Sequence, residues 1–172
     1  MNRFGASPNH ESRIQEEHYI HGHESLDAMA TLQDHFNSCL FFSSSALSRA
    51  LSKLAEREFA VFDLSPTQGF ILLTLRKAPG ISIGDLGLVL SLGQSTITKA
   101  VEKMEQRGLV IRETYGRLTR VFITGKGEER EADAKAAWKK TRLAYTNAVS
   151  LGAVEQLCEE LATARRKLAG ED

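Results

Sequence analysis

Long apolar runs are missing from this chain of 172 residues. No stretch approaches the roughly 18 consecutive apolar residues of a membrane-crossing helix, and the first residues lack the apolar centre of a secretory signal. The expected compartment is the cytoplasm. Also absent are a Gly-x-Gly-x-x-Gly turn, a Walker-type phosphate loop and a paired-cysteine zinc spacing, which removes the dinucleotide, nucleotide and structural-zinc readings. Cysteine is scarce, with only Cys39 and Cys158, and a structural disulfide is not expected in a reducing compartment. Of five histidines, His10, His18, His21 and His23 fall in the N-terminal stretch and only His35 in a helical one. No serine, cysteine or carboxylate is placed by motif beside a base, so neither an enzyme nor a cofactor is expected. The N-terminal histidines are loosely spaced and lack completing ligands; a solvated tail, not a metal site, is the expectation, because a good site needs about three or four convergent ligands. Net charge is missing too: 22 basic residues balance 22 acidic ones, which by itself argues against a nucleic-acid partner.

The charge is unevenly placed, however. Residues 65–124 carry eight Lys or Arg against four Asp or Glu, residues 1–64 five against nine, and residues 125–172 nine of each. The basic segment is also the one with the densest local signals. Ser65-Pro66-Thr67-Gln68 places a capping serine, a proline at the first helical position and a glutamine three residues after the cap. The helix it opens turns Phe70, Ile71, Leu73 and Leu75 inward and stops before Pro79-Gly80. Ser82-Ile83-Gly84-Asp85 repeats the cap and opens a short helix expected to bury Leu86, Val89 and Leu90. A third helix follows Gly93: Ile97, Val101 and Met104 form its inner stripe, Gln94, Ser95, Thr96, Thr98, Lys99 and Glu102 lie outside that stripe, and Gly108 ends it in a left-handed position. Two β-rich runs, Leu109–Thr114 and Arg120–Thr124, flank a turn at Tyr115-Gly116, and put Arg112, Arg117 and Arg120 on a hairpin beside the third helix. Short hydroxyls, an amide and a lysine at a helix N-terminus can reach base edges and phosphates, and an arginine at a hairpin tip suits a minor groove. The pattern is that of a winged helix-turn-helix reader of duplex DNA.

The same residues resemble a known family. Leu64-Ser65-Pro66-Thr67-Gln68, the leucines from Leu86 to Leu90, the run Ser95-Thr96-Ile97-Thr98-Lys99-Ala100-Val101-Glu102-Lys103-Met104-Glu105-Gln106-Arg107-Gly108-Leu109-Val110, and Ile123-Thr124-Gly125-Lys126-Gly127 are similar, in order, to the MarR family of bacterial transcriptional regulators. The resemblance implies a homodimer that binds pseudo-palindromic double-stranded operator DNA, commonly as a repressor released by a small, often aromatic, molecule or by oxidation. One position departs. The family's Asp-x-Arg wing signature falls on Tyr115 and Arg117, so the aspartate is replaced and the wing looks short.

The flanks complete the layout. Residues 1–24 read as a flexible polar arm. Residues 25–62 read as one long helix from Ser25, with Leu26, Leu40, Leu47 and Leu54 seven or fourteen apart and Met29, Phe36 and Ala50 beside them. Residues 63–124 form the DNA-binding domain. Residues 125–172 hold a helix capped by Thr124 and carrying Trp138, Leu143 and Tyr145, then a last one capped by Ser150 with Val154, Leu157, Leu161, Ala164 and Leu168. The terminal stripes have nothing in the central segment large enough to cover them, so a helical layer shared between two chains is expected. The fold class is mainly α with a small β-hairpin wing, flanked by dimerisation helices.

Two rival readings stand beside a ligand-gated repressor. Cys39 and the segment after it resemble the reactive-cysteine region of the hydroperoxide sensors in the same family, with Cys158 as a resolving thiol; Ser43 and Lys53, however, occupy the places of their activating tyrosines, and buried, inert thiols are the plainer expectation. The other is a winged-helix protein–protein module, against which the basic residues Lys99, Arg107, Arg112, Arg117 and Arg120 weigh.

Overall fold

The computed structural model describes Met29 and residues 31–170. A helical stretch at 31–37 is followed by α1 (Leu40–Ala60), α2 (Pro66–Lys77), β1 (Ile81–Ser82), α3 (Ile83–Leu90), α4 (Gln94–Gln106), β2 (Val110–Tyr115), β3 (Leu118–Ile123), α5 (Gly125–Val149) and α6 (Leu151–Ala169). The chain divides into two units, residues 1–49 and 50–172, with α1 running across the division.

In the first unit the single long helix expected from Ser25 is interrupted. Its predicted start, with Leu26, lies outside the described residues, as do the four N-terminal histidines. At Ser38–Cys39 the helix ends and restarts: Cys39 N donates to Phe36 O at 2.9 Å, Ser38 Oγ to His35 O at 3.0 Å, and Ser43 Oγ to Asn37 O at 2.7 Å. Serine hydroxyls satisfying nearby carbonyls offer the backbone an alternative to the regular ladder, which hydrophobic spacing alone does not register.

The second unit carries the core. Ser65 Oγ accepts from Gln68 N at 3.2 Å while Gln68 Oε1 accepts from Ser65 N at 3.1 Å, the reciprocal cap expected for α2. Ile71 and Leu75 are fully buried, and Phe70 and Leu73 half-buried. In α3, capped by Ser82 through Asp85 N at 3.0 Å, Leu86 is fully buried but Val89 is 60% exposed. The inward face is instead Ile83, Leu86, Gly87 and Leu90, which sit at three- and four-residue spacings; Val89 falls off that stripe. The core then continues through Ile97, Val101 and Met104 of α4, all fully buried as the spacing predicts.

Gly108, at φ +71°, closes α4 and sends the chain into the sheet. Register runs from Val110↔Ile123 to Tyr115↔Leu118, so Tyr115 ends β2 and the turn is Gly116-Arg117, one residue later than expected. Gly116 has φ +61°, as the first place of a two-residue hairpin turn demands. A third strand, absent from the sequence reading, joins the hairpin: β1 pairs antiparallel with β3 through Ile81↔Val121 and Ser82↔Arg120, giving the order β1-β3-β2. Two residues are too few for an alternation pattern to show. Their approach depends on Gly80, which has φ +74° and whose missing Cβ would meet the Phe122 ring at 2.8 Å.

Thr124 caps α5 as expected, accepting from Gly127 N at 3.0 Å. The buried face of α5 is mostly small, with Gly127, Ala134, Ala137 and Thr141 beside Glu131, whose Oε1 pairs with Lys135 Nζ at 2.8 Å, and α2 packs along this helix, with Phe70 edge-on to Trp138 at 6.4 Å. Ser150 stands at the start of α6 but makes no side-chain cap; its φ of +83° marks a sharp corner instead. No residue of α6 is buried within the chain.

Candidate nucleic-acid interface

Five of the predicted contact residues lie on the first turn and a half of α4. Gln94, Ser95, Thr96 and Lys99 are exposed, and Thr98 is half-buried. The N-cap of α4 is Gly93, which brings no side chain across the helix entrance. Between α4 and the hairpin runs a crevice of about 330 Å³ lined by Gln94, Thr98, Arg112, Arg117, Ile83 and Leu118, among others. The structure therefore brings Gln94, Thr98, Arg112 and Arg117 to one place. Arg120, also on the hairpin, points its guanidinium at the backbone, with Nη1 donating to Gly80 O at 2.9 Å.

The three hairpin arginines are not equivalent. Arg112 Nη2 and Nε donate to Glu105 Oε2 at 2.6 and 2.9 Å, with Glu102 at 3.7 Å. This bond holds the Glu105 carboxyl below the usual carboxylate value and pushes the guanidinium of Arg112 up, against a smaller opposing effect of desolvation. Arg117, at the turn, is exposed. On the wing, Tyr115 Oη donates to Glu113 Oε2 at 2.5 Å, which raises the Tyr115 hydroxyl above its ordinary value.

A second groove, about 390 Å³, lies on the other flank of α4, where Lys99 and Lys103 face Ser65 and Thr67 at the start of α2. Thr67 and Lys103 were not among the sequence candidates. The signal for Lys103 was available, since it follows Lys99 by four residues and so shares its helix face.

The far end of α4 is anchored. Arg107 Nη2 donates to Asp63 Oδ2 at 2.7 Å and to Asp63 O at 2.8 Å, so this arginine, counted in the basic stripe, serves the corner between α1 and α2. Thr124 Oγ1 donates to Gly108 O at 2.7 Å and Lys126 Nζ to Arg107 O at 2.9 Å, which ties the start of α5 to the carbonyls that α4 leaves unpaired. Both cysteines are free and exposed, against the expectation of buried thiols: Cys39 sits at the interruption before α1, and Cys158 on α6, none of whose residues is fully buried. Among the described residues no cluster of histidine, cysteine and carboxylate suits a metal, and no helix is long and apolar enough to cross a membrane.

Two helices meeting at a tight turn, an exposed third-helix N-terminus and a flanking hairpin define a winged helix-turn-helix protein. The model of the MarR family matches residues 64–114, from the end of the α1–α2 corner through the first strand of the hairpin. No curated protein matches it in sequence. Among solved structures, a probable transcriptional regulator from Pseudomonas aeruginosa superposes with a TM-score of 0.67 at 23% identity, covering 75% of this chain and 98% of that one. CouR from Rhodococcus jostii RHA1, bound to p-coumaroyl-CoA, gives 0.66 at 21%, with 75% and 93% covered. A protein from Listeria monocytogenes described as a MarR-family transcriptional regulator, complexed with 26mer DNA, gives 0.65 at 18%, with 77% and 90% covered. At such identities the likeness is one of fold.

Proposed function

We propose that this protein is a sequence-specific, double-stranded DNA-binding transcriptional regulator that acts as a homodimer, represses from a pseudo-palindromic operator and is released by a small aromatic ligand. The observation that carries the reading is the convergence of Gln94, Thr98 and Arg117 on one crevice, beside the exposed Lys99 of the same helix. Helix and hairpin then enter neighbouring grooves of the duplex, α4 reading base edges and Arg117 the minor groove. Structural relatives bound to DNA and to an aromatic thioester support both halves of the proposal. The clamps from Thr124 and Lys126 suit ligand control, because a shift of α5 is carried directly to the end of α4. Cysteine-based peroxide sensing through Cys39 and Cys158 is the second reading, favoured by the exposure of both thiols.

Titration of the purified protein against its own upstream DNA, with and without aromatic carboxylates and their thioesters, tests the proposal. Tight binding that unrelated duplex does not compete away, weakened by one of these compounds, is the expected result. Equal affinity for unrelated duplex would leave a protein-docking module as the better reading, and release by hydroperoxide alone would select the cysteines.

A further inference from the structure

Thr98 has its hydroxyl already engaged. Its Oγ1 donates to Gln94 O at 2.9 Å, one helical turn back, so the only proton this side chain could offer a phosphate or a base acceptor is committed to the backbone of α4. To the crevice the side chain can then offer only its γ-methyl and the acceptor side of its oxygen. The surroundings agree with that polarity: Ile83 and Leu118 line the same crevice, Ile83 almost fully buried and Leu118 presenting 41% of its surface.

The path of the DNA decides what meets this methyl. With α4 in the major groove and the hairpin in the adjacent minor groove, the strand that separates the two grooves runs through the crevice between them. Thymine's 5-methyl is the apolar group on the major-groove edge, and it projects close to its own backbone. We infer that Thr98 is a specificity-determining residue that reads one thymine per half-site by methyl contact. Gln94, a turn earlier on the same face, has a carboxamide suited to adenine N6 and N7. The two positions are about 6 Å apart along the helix axis, close to two base steps of about 3.4 Å each, so an adenine and a thymine within two base pairs of one another are expected in the half-site.

The inference rests on the DNA-binding reading and is tested so that the two fail differently. Duplexes with a randomised centre are selected on the full-length protein, and the enriched duplex is then remade with deoxyuridine replacing each thymidine in turn, which deletes only the 5-methyl. One replacement per half-site should weaken binding about fourfold, the value of one buried methyl-sized group. In Thr98→Ser, which keeps the hydroxyl, that penalty should disappear; in Thr98→Val, which keeps the methyl, it should persist. A deoxyuridine penalty intact in the serine variant, or lost in the valine variant, overturns the methyl contact while leaving DNA binding standing. No enriched duplex at all overturns the DNA reading and this inference with it. Circular dichroism of both variants confirms that α4 is intact.

Discussion

The guanidinium of Arg112 in β2 closes on the carboxylate of Glu105 in α4, with Nη2 at 2.6 Å and Nε at 2.9 Å from the same oxygen, while the backbone N of Arg112 reaches the other oxygen at 3.3 Å. Three bonds thus fix the root of the hairpin to the side of α4. Arg112, expected from sequence as a DNA contact, has its charge paired with Glu105 in the free chain.

Removing the brace should therefore loosen the wing without unfolding the protein. The side chains are 30% and 35% exposed, so Glu105→Gln is expected to cost about 1 kcal/mol, the upper end for a surface pair. Because the Glu105 carboxyl titrates below its ordinary value, its contribution is fully present above the unfolded-state pKa and is lost as pH falls through the lower folded-state value. Urea unfolding across the acid range should show a shallower loss of stability in Glu105→Gln than in the parent. Parallel profiles would mean that the pair does not stabilise the fold.

Lys99 and Arg117 differ from Arg112 in being exposed. Lys99→Ala and Arg117→Ala should each weaken DNA binding and lower the slope of log affinity against log salt by about one unit per half-site, as expected for one lost phosphate or minor-groove cation. Arg112→Gln should weaken binding with a smaller change in slope. Equal slope changes in all three would make Arg112 a direct contact after all.

α6 buries no residue in the single chain, and Leu157 and Leu161 lie one turn apart with 40% and 42% of their surface exposed. A dimer is expected by sedimentation at micromolar concentration, and Leu161→Glu should shift it toward monomer while leaving the helical signal unchanged, since the charge would enter an apolar interface without a partner. A monomeric parent would contradict this.

Cys39→Ser and Cys158→Ser are expected to bind and release DNA like the parent, with low hydroperoxide leaving the complex intact. Ser43, in the place of an activating tyrosine, already donates its hydroxyl to Asn37 O at 2.7 Å, and is not free to stabilise a thiolate at Cys39. Reductant-reversible release that Cys39→Ser abolishes would favour redox sensing.

Gly127→Ala should be among the costlier single changes. A Cβ there would overlap the Leu109 carbonyl oxygen and lie 2.8 Å from Ile123 Cγ1, forcing α5 off the end of α4 at about 1–3 kcal/mol. Thermal unfolding of the variant measures this directly. A midpoint equal to the parent's would show that α5 can shift at no cost.

Short-range chemistry was legible in the sequence because its partners are a few residues apart. The Ser65–Gln68 box, the Thr124 cap, the left-handed Gly108 and the inward stripe of Ile97, Val101 and Met104 each need only the local chain, so residue type and spacing were enough to determine them. What lay beyond that reach was decided by tertiary contact. Strand β1 exists because β3 offers it a ladder, and Val89 is outside because α3 packs through Gly87. Arg107, counted in the basic stripe, is tied to Asp63, 44 residues away, and Arg112 is paired with Glu105. A charged side chain's availability depends on which opposite charge the fold sets beside it, and that neighbour is fixed only when distant elements meet.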